Sequence, residues 1–350
     1  MGVLLLNGIG LVLAGGGGKG AYQIGVWKYL HECGLDQYVC AVSGTSVGAL
    51  NAALFASGDY QQAEELWLNI QPDQILSPKK ISVPEIVGWI GRAGLVKGIY
   101  GVAAGAATVS MQALSAGIAT MLGRRYAFSR DGLVDLIKQG LNFSAIQTSN
   151  MPCYATCLAI PECSIRRFDL RQYSEEEATT LLLASSAIPL VFDSEEFHGE
   201  RYFDGGIPLV GDNVPIQPVY DLGVDCIIVV HLSQDYIIDH SQYPSAKIIE
   251  IIPQVNLGGA VDGTLDFTAE GSHRRIRQGY QDAAKMFGMF VEIAKLRHKN
   301  ELFLQAFQRS EYAYQQRSHA IQAERRKQQE QMERDEQLQE GLRRVKGSDQ

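Results

Sequence analysis

The sequence predicts an α/β fold, with a largely parallel sheet covered by helices on both faces. Three observations point to it. Short apolar runs alternate with stretches of helical spacing through the N-terminal half, and that alternation demands crossover connections between parallel strands. Glycine is abundant, at 36 residues, and clusters where those runs join. The chain has 350 residues, 46% hydrophobic and 20% charged, an ordinary globular balance with enough length to bury a sizeable core.

The elements follow in order. Residues 3–14 are apolar, but no Lys or Arg precedes them and a glycine-rich loop stands where a cleavage site would be needed. The run therefore reads as a core strand, not a signal peptide. Gly2 follows Met1, yet Leu6 stands where myristoylation requires Ser or Thr. Strand character is clearest at 11–14 and stops at the glycines of 15–20. Residues 21–33 carry Ile24, Trp27 and Leu30 at helical spacing, and Gly34 is a natural stop. Residues 39–42 form a short buried strand, 43–48 a sharp turn of small residues, and 49–56 a helix. Further on, 154–160 and 164–170 read as two strands joined around Pro161. A helix over 175–186 is opened by Ser174 and Glu177 at capping-box spacing. Residues 201–203 lead into Asp204, Gly205 and Gly206, and 226–232 form another buried strand. From about His273 the pattern turns helical. From about Ser318 it is polar and Gln-rich with few recurring apolar positions, which predicts a solvated tail and leaves a partner or oligomerisation helix as the alternative. The domain division expected is 1–272 and a helical extension over 273–350.

Residues 98–123 contain no charged side chain and are rich in Ala and Gly. Length alone would let them cross a bilayer, but Ser110, Gln112, Ser115 and several glycines dilute the hydrophobicity. A buried helical hairpin and a lid or membrane-contacting insert are the readings that compete with a span.

The formal net charge of −8 argues against a nucleic-acid binder and against simple adhesion to an anionic membrane, a local basic patch aside. The six cysteines, Cys33, Cys40, Cys153, Cys157, Cys163 and Cys226, form no C-x-x-C pair and find no complementary histidines. They read as free thiols in a reducing compartment, with no metal site.

Two motifs carry chemistry. Gly44-Thr45-Ser46-Val47-Gly48 is G-x-S-x-G between a strand and a helix, the arrangement that holds a serine hydroxyl clear of the backbone on a sharp turn. Gly15, Gly16, Gly17, Gly18, Lys19 and Gly20 form the second. They match a dinucleotide fingerprint, but the acid that fingerprint wants at the end of a second strand is missing: Asp36 precedes that strand. A Walker A loop is excluded because Gly20, not Ser or Thr, follows Lys19. Consecutive glycines also let several amides converge on one oxygen, as an oxyanion hole requires. In a parallel sheet, loops after neighbouring strands meet in one crevice, so the Gly loop and Ser46 are expected to face each other. The base stays open at this level. Ser46, Asp204 and His231 follow the order of an α/β-hydrolase triad, whereas Asp204, flanked by Gly205 and Gly206, could serve Ser46 directly if its site raised its pKa.

Taken together and in this order, the Gly loop, the G-x-S-x-G turn and Asp204-Gly205-Gly206 resemble the patatin-like phospholipase family, as does Ala184-Ser185-Ser186-Ala187-Ile188-Pro189. The resemblance covers about residues 10–235. It implies a three-layer α/β/α fold and a Ser46–Asp204 dyad without histidine, metal or cofactor. It also implies that the amides of Gly15 to Gly18 are oxyanion donors, with Lys19 in the basic position of that loop. The activity implied is hydrolysis of fatty acyl esters of phospholipids or related lipids through an acyl-enzyme, in the cytoplasm with reversible, peripheral membrane contact. The uncharged insert and the C-terminal extension depart from the shortest members. They keep open a membrane-degrading effector switched on by a ligand, a partner or homo-oligomer assembly; an acyltransferase or thioesterase using the same dyad is the other alternative.

Overall fold

The computed structural model describes residues 8–78, 128–189 and 191–347. The uncharged stretch 98–123 lies outside them. The chain divides into two compact units, Met1–Phe287 and Gly288–Gln350.

The first unit is built on a mixed, mostly parallel sheet, as the alternation of strands and helices predicts. Along the chain its elements are β1 (Ile9–Leu13), α1 (Ala21–Glu32), β2 (Val39–Thr45), α2 (Val47–Ser57), α3 (Tyr60–Asn69) and α4 (Pro72–Ile75). A two-stranded ribbon of β3 (Ser77–Pro78) and β4 (Phe128–Ser129) leads to α5 (Asp131–Gly140) and α6 (Phe143–Thr148). Then come β5 (Cys153–Ile160), β6 (Ser164–Asp169), α7 (Glu175–Ser185), β7 (Glu195–Phe197), β8 (Glu200–Asp204), α8 (Gln217–Tyr220), β9 (Cys226–Val230) and β10 (Lys247–Ile251). The order across the sheet is β10-β9-β1-β2-β5-β8-β7, with β6 also on β5. The strands from β10 to β5 are parallel; β6 and β8 join β5 antiparallel, and β7 joins β8 antiparallel.

One feature of this register positions the site. β6 pairs along nearly the whole of one edge of β5. The other edge is shared: β2 takes its first half, up to Thr45 opposite Thr156, and β8 takes its second half, beginning with Asp204 opposite Cys157. Since β8 runs against β2, the carboxyl ends of the two strands meet head to head. Thr45 and Asp204 therefore stand beside consecutive residues of one strand.

Strand β1 is buried throughout and β9 from Ile227 to Val230, and both are apolar on both faces, as parallel strands between helical layers must be. Helix α7 begins with the predicted capping box, Ser174 and Glu177 each bonding the other's backbone amide. A long helix, α9 (Ala269–Gly347), ends the chain. Its first turns belong to the first unit, which is why the division falls after Phe287 and not near residue 272. There Gly25 and Gly279 let α9 and α1 approach closely: a Cβ on Gly25 would lie 1.9 Å from the Ile276 carbonyl oxygen, and one on Gly279 2.0 Å from that of Tyr22. Tyr22 donates a hydrogen bond to Asp282 at 3.1 Å. Beyond Ser318, where the sequence predicts a solvated tail, the helix continues to Gly347. Extending an existing helix avoids the cost of nucleation, and Ala, Glu, Gln, Lys and Arg are good helix formers.

Candidate active site

The turn between β2 and α2 consists of one residue, Ser46. Its φ of 57° and ψ of −128° are strained for a side chain with a Cβ. Both flanking glycines are sterically required. A Cβ on Gly44 would sit 2.1 Å from the Gly48 carbonyl oxygen, and one on Gly48 2.1 Å from that of Leu13. Val47 packs inward, against Gly20 of the preceding loop. Thr45 is buried and donates its hydroxyl to the Asp212 carbonyl at 2.7 Å, tying the end of β2 to the segment that follows Gly206.

Asp204 ends β8 and is buried. Burial raises its carboxyl from the ordinary 3.8 to about 6, against the lowering effects of the nearby Ser46 hydroxyl, the Gly206 amide and the charge of Arg130. The Gly206 amide donates to Asp204 Oδ1 at 2.7 Å. Gly205 is needed because a Cβ there would meet the Thr156 carbonyl oxygen at 2.5 Å.

The Gly loop starts at the end of β1, beside Ser46: a Cβ on Gly15 would lie 3.2 Å from that of Ser46. Gly15 already donates its amide to the Asn213 carbonyl at 3.1 Å. Gly17 to Gly20 form a 3₁₀ turn that runs into α1, so the first amides of that turn have no acceptor within it. Gly17 has φ +58° and, like Gly18, lies against the backbone of residues 264–266 too closely for any side chain. Lys19 is half-buried over Gly263, and burial together with the nearby Arg275 charge lowers its pKa.

Several supporting residues carry no motif. Ser185, buried at the end of α7, accepts the Ser46 amide at 3.0 Å and donates to the Thr156 carbonyl at 2.7 Å. Its sequence signal was its place in the stretch 184–189 that resembles the family. Asn213 lies between Gly15 and Gly206 and would block a Cβ on either. Asn51 donates to the Gly20 carbonyl and to Gln23, accepts from Trp67, and Gln23 in turn donates to the Ala14 carbonyl. The Arg130 guanidinium donates to the Leu183 carbonyl at 2.6 Å, to Ser186 Oγ at 2.8 Å and to Glu195 at 3.1 Å, and stacks on Phe192. Arg275 is fully buried and donates to the Asp262 and Asp266 carbonyls at 2.8 and 3.0 Å and to the Asp266 carboxylate at 2.8 Å, with Gly18's carbonyl at 3.5 Å.

His231 is not part of this constellation. It follows β9, two strands from β2 or roughly 10 Å at ordinary strand spacing, and its Nε2 is paired with Glu250 at 2.9 Å. Burial lowers its pKa. Among the described residues no group of three or more His, Cys, Asp or Glu side chains is placed to hold a metal ion, and no helix is long and apolar enough to cross a membrane. An apolar cavity of about 60 Å³ begins behind the elbow at Val47 and Leu50 and extends to Trp67, Ile137 and Phe267.

The fold and this arrangement place the chain among α/β proteins that present a serine at a strand-to-helix elbow, opposite a glycine-rich loop. More narrowly, the chain belongs to the patatin-like phospholipase family, whose profile matches residues 11–220. Rat patatin-like phospholipase domain-containing protein 7 is 48% identical over 54 residues, 15% of this chain and 4% of that protein. Lysophospholipase nte1 of Aspergillus terreus is 50% identical over 48 residues, 14% of this chain and 3% of its own length. These matches therefore span only a small fraction of the curated relatives. Among solved structures, VipD from Legionella pneumophila aligns over 81% of this chain and 67% of its own, with 17% identity and a TM-score of 0.49.

Proposed function

We propose that this protein is a lipid acyl hydrolase that cleaves fatty acyl esters of phospholipids with Ser46 as nucleophile and Asp204 as its base. The observation that carries the reading is the juxtaposition of the Ser46 elbow with Asp204, a buried carboxylate raised by burial to about 6, where β2 and β8 meet end to end along β5. At neutral pH such a carboxylate is ionised and yet more basic than an exposed aspartate, which suits proton abstraction. Asp204 takes the Ser46 proton as Ser46 Oγ attacks the ester carbonyl. The negative oxygen of the tetrahedral intermediate is received by the amides of Gly16 to Gly18, Gly15's being engaged with Asn213. Collapse breaks the bond to the lysolipid alkoxide, which takes the proton back from Asp204. Water, deprotonated by Asp204, then attacks the acyl-Ser46 ester; collapse breaks the bond to Ser46 Oγ, which takes the proton back from Asp204 as the fatty acid leaves. The apolar cavity behind the elbow and the family both favour a lipid substrate, met by peripheral contact with a membrane.

The test is fatty acid release from mixed phospholipid vesicles by the wild-type chain and by Ser46→Ala. Release by the wild type alone is expected. Equal release by both would remove Ser46 from the mechanism.

A further inference from the structure

The second unit is a single helix whose large apolar side chains face solvent. Met289 is 73% exposed, Leu296 60% and Phe303 70%, and between them Ile293 and Phe307 are 56% and 58% exposed. These positions are not scattered. Met289, Ile293, Leu296, Asn300, Phe303 and Phe307 alternate at steps of four and three; the same steps reach Tyr314 and Ile321 only by way of Ser310 and Arg317, and Phe290, Leu302 and Leu304 are exposed off the stripe. A 3.5-residue repeat drifts around a straight helix and forms one continuous stripe only when two helices wind around each other with a left-handed supercoil. A helix lying flat on a lipid surface or on a globular domain would instead keep a 3.6-residue period.

We propose that this stripe is the seam of a parallel coiled coil formed with a second copy of the chain. Two further features select that partner. Asn300 interrupts the apolar stripe at an a position. There it meets an identical asparagine across a parallel, in-register dimer, which satisfies the buried amides and penalises other registers. In the same register Glu292, at a g position, faces Arg297, at the e position of the second copy, which adds one complementary charge pair beside the seam. Both groups are solvent-exposed, and the ion pairs they make among the described residues run along their own helix, Glu292 with Lys295 and Arg297 with Glu301. Beyond Ile321 the stripe fades into Gln, Glu and Arg, which limits the seam to the middle of the helix.

The experiment uses the full chain. Sedimentation should give a dimer at micromolar concentration, and Phe303→Asp with Phe307→Asp should raise its dissociation constant by about a hundredfold or more. Near-ultraviolet circular dichroism and turnover of a soluble ester should stay at the parent level, because the altered positions lie outside the first unit. Geometry is tested separately by mild oxidation of Leu296→Cys, at a d position, and Gln305→Cys, on the opposite face. A covalent dimer above the parent background is expected from the first and not from the second. A monomer at every concentration, or equal cross-linking at both positions, would overturn the proposal. So would a monomer that binds phosphatidylcholine–phosphatidylglycerol vesicles through the same phenylalanines, which would assign the stripe to a lipid surface.

Discussion

The Ser46 amide is held by the hydroxyl of Ser185, 3.0 Å away, and that hydroxyl in turn donates to the Thr156 carbonyl of β5. The strained elbow is thus pinned to the strand that also carries Asp204 in register. Replacing Ser185 with Ala leaves a buried amide and a buried carbonyl without partners, a cost of about 1–3 kcal/mol per group. Ser185→Ala should lower the denaturation midpoint and reduce kcat on a soluble ester by about tenfold, with KM nearly unchanged, because the elbow loses its anchor and the substrate surface does not change. Unaltered stability and kcat would mean that the elbow is fixed by its glycines alone.

Asp204 carries a pH prediction. Its carboxyl titrates near 6 in the folded protein and near 3.8 when unfolded. With Asp204 as the proposed base, activity requires the ionised form, so kcat/KM should rise with pH and level off above about 6. Stability runs the other way. The folded state holds the proton more tightly, so this group's unfavourable charged burial is absent below about pH 4 and grows as pH rises through the folded pKa. A displacement of about two units corresponds to roughly 3 kcal/mol at neutral pH, an order-of-magnitude figure. Asp204→Asn, which keeps the acceptor for the Gly206 amide, should therefore be inactive yet more stable than wild type at pH 8. Denaturant titrations at pH 8 and pH 4 check it, with the gain expected only at the higher pH.

How much of this was readable from residues alone depended on the range of the interaction. The elbow was legible because its demand is local: a strand, a serine, flanking glycines and a helix in unbroken succession. The Gly loop was legible for the same reason. Asp204 could be picked out beside two glycines, but its meeting with Ser46 depends on β2 and β8 sharing one edge of β5, a pairing of distant segments with no periodic signature. Asn213, Arg130 and Arg275 left no trace because their contacts run to backbone carbonyls, glycines and side chains that no motif ties to them.

Two glycines with similar backbone angles separate conformation from contact. Gly58 has φ +81° and open space around the position of a Cβ, whereas Gly17 has φ +58° and the Thr264 carbonyl oxygen 2.2 Å from that position. Gly58→Ala should cost only the left-handed strain, about 1 kcal/mol, and leave turnover unchanged. Gly17→Ala must also push the Gly loop away from residue 264, so turnover should fall by at least about a hundredfold. Parallel measurement of denaturation midpoint and kcat for the two variants distinguishes these effects; equal activity losses would show that the loop tolerates displacement.

Arg275 supports the same loop from behind. Its guanidinium is buried and its donors go to the Asp262 and Asp266 carbonyls, the Asp266 carboxylate and the neighbourhood of the Gly18 carbonyl, so one side chain fixes the segment against which Gly17 and Gly18 lie. Removing it leaves a carboxylate and several carbonyls without their donor, and losses of about 3–5 kcal/mol are typical when one member of a buried pair is deleted. Arg275→Met should destabilise the chain by that order. Arg275→Lys restores the charge but not the fork, since an ammonium cannot span carbonyls that the planar guanidinium reaches together. The lysine variant should therefore recover much of the stability at neutral pH while kcat stays low and KM stays near wild type. Recovery of kcat in proportion to stability would reduce Arg275 to a general packing role.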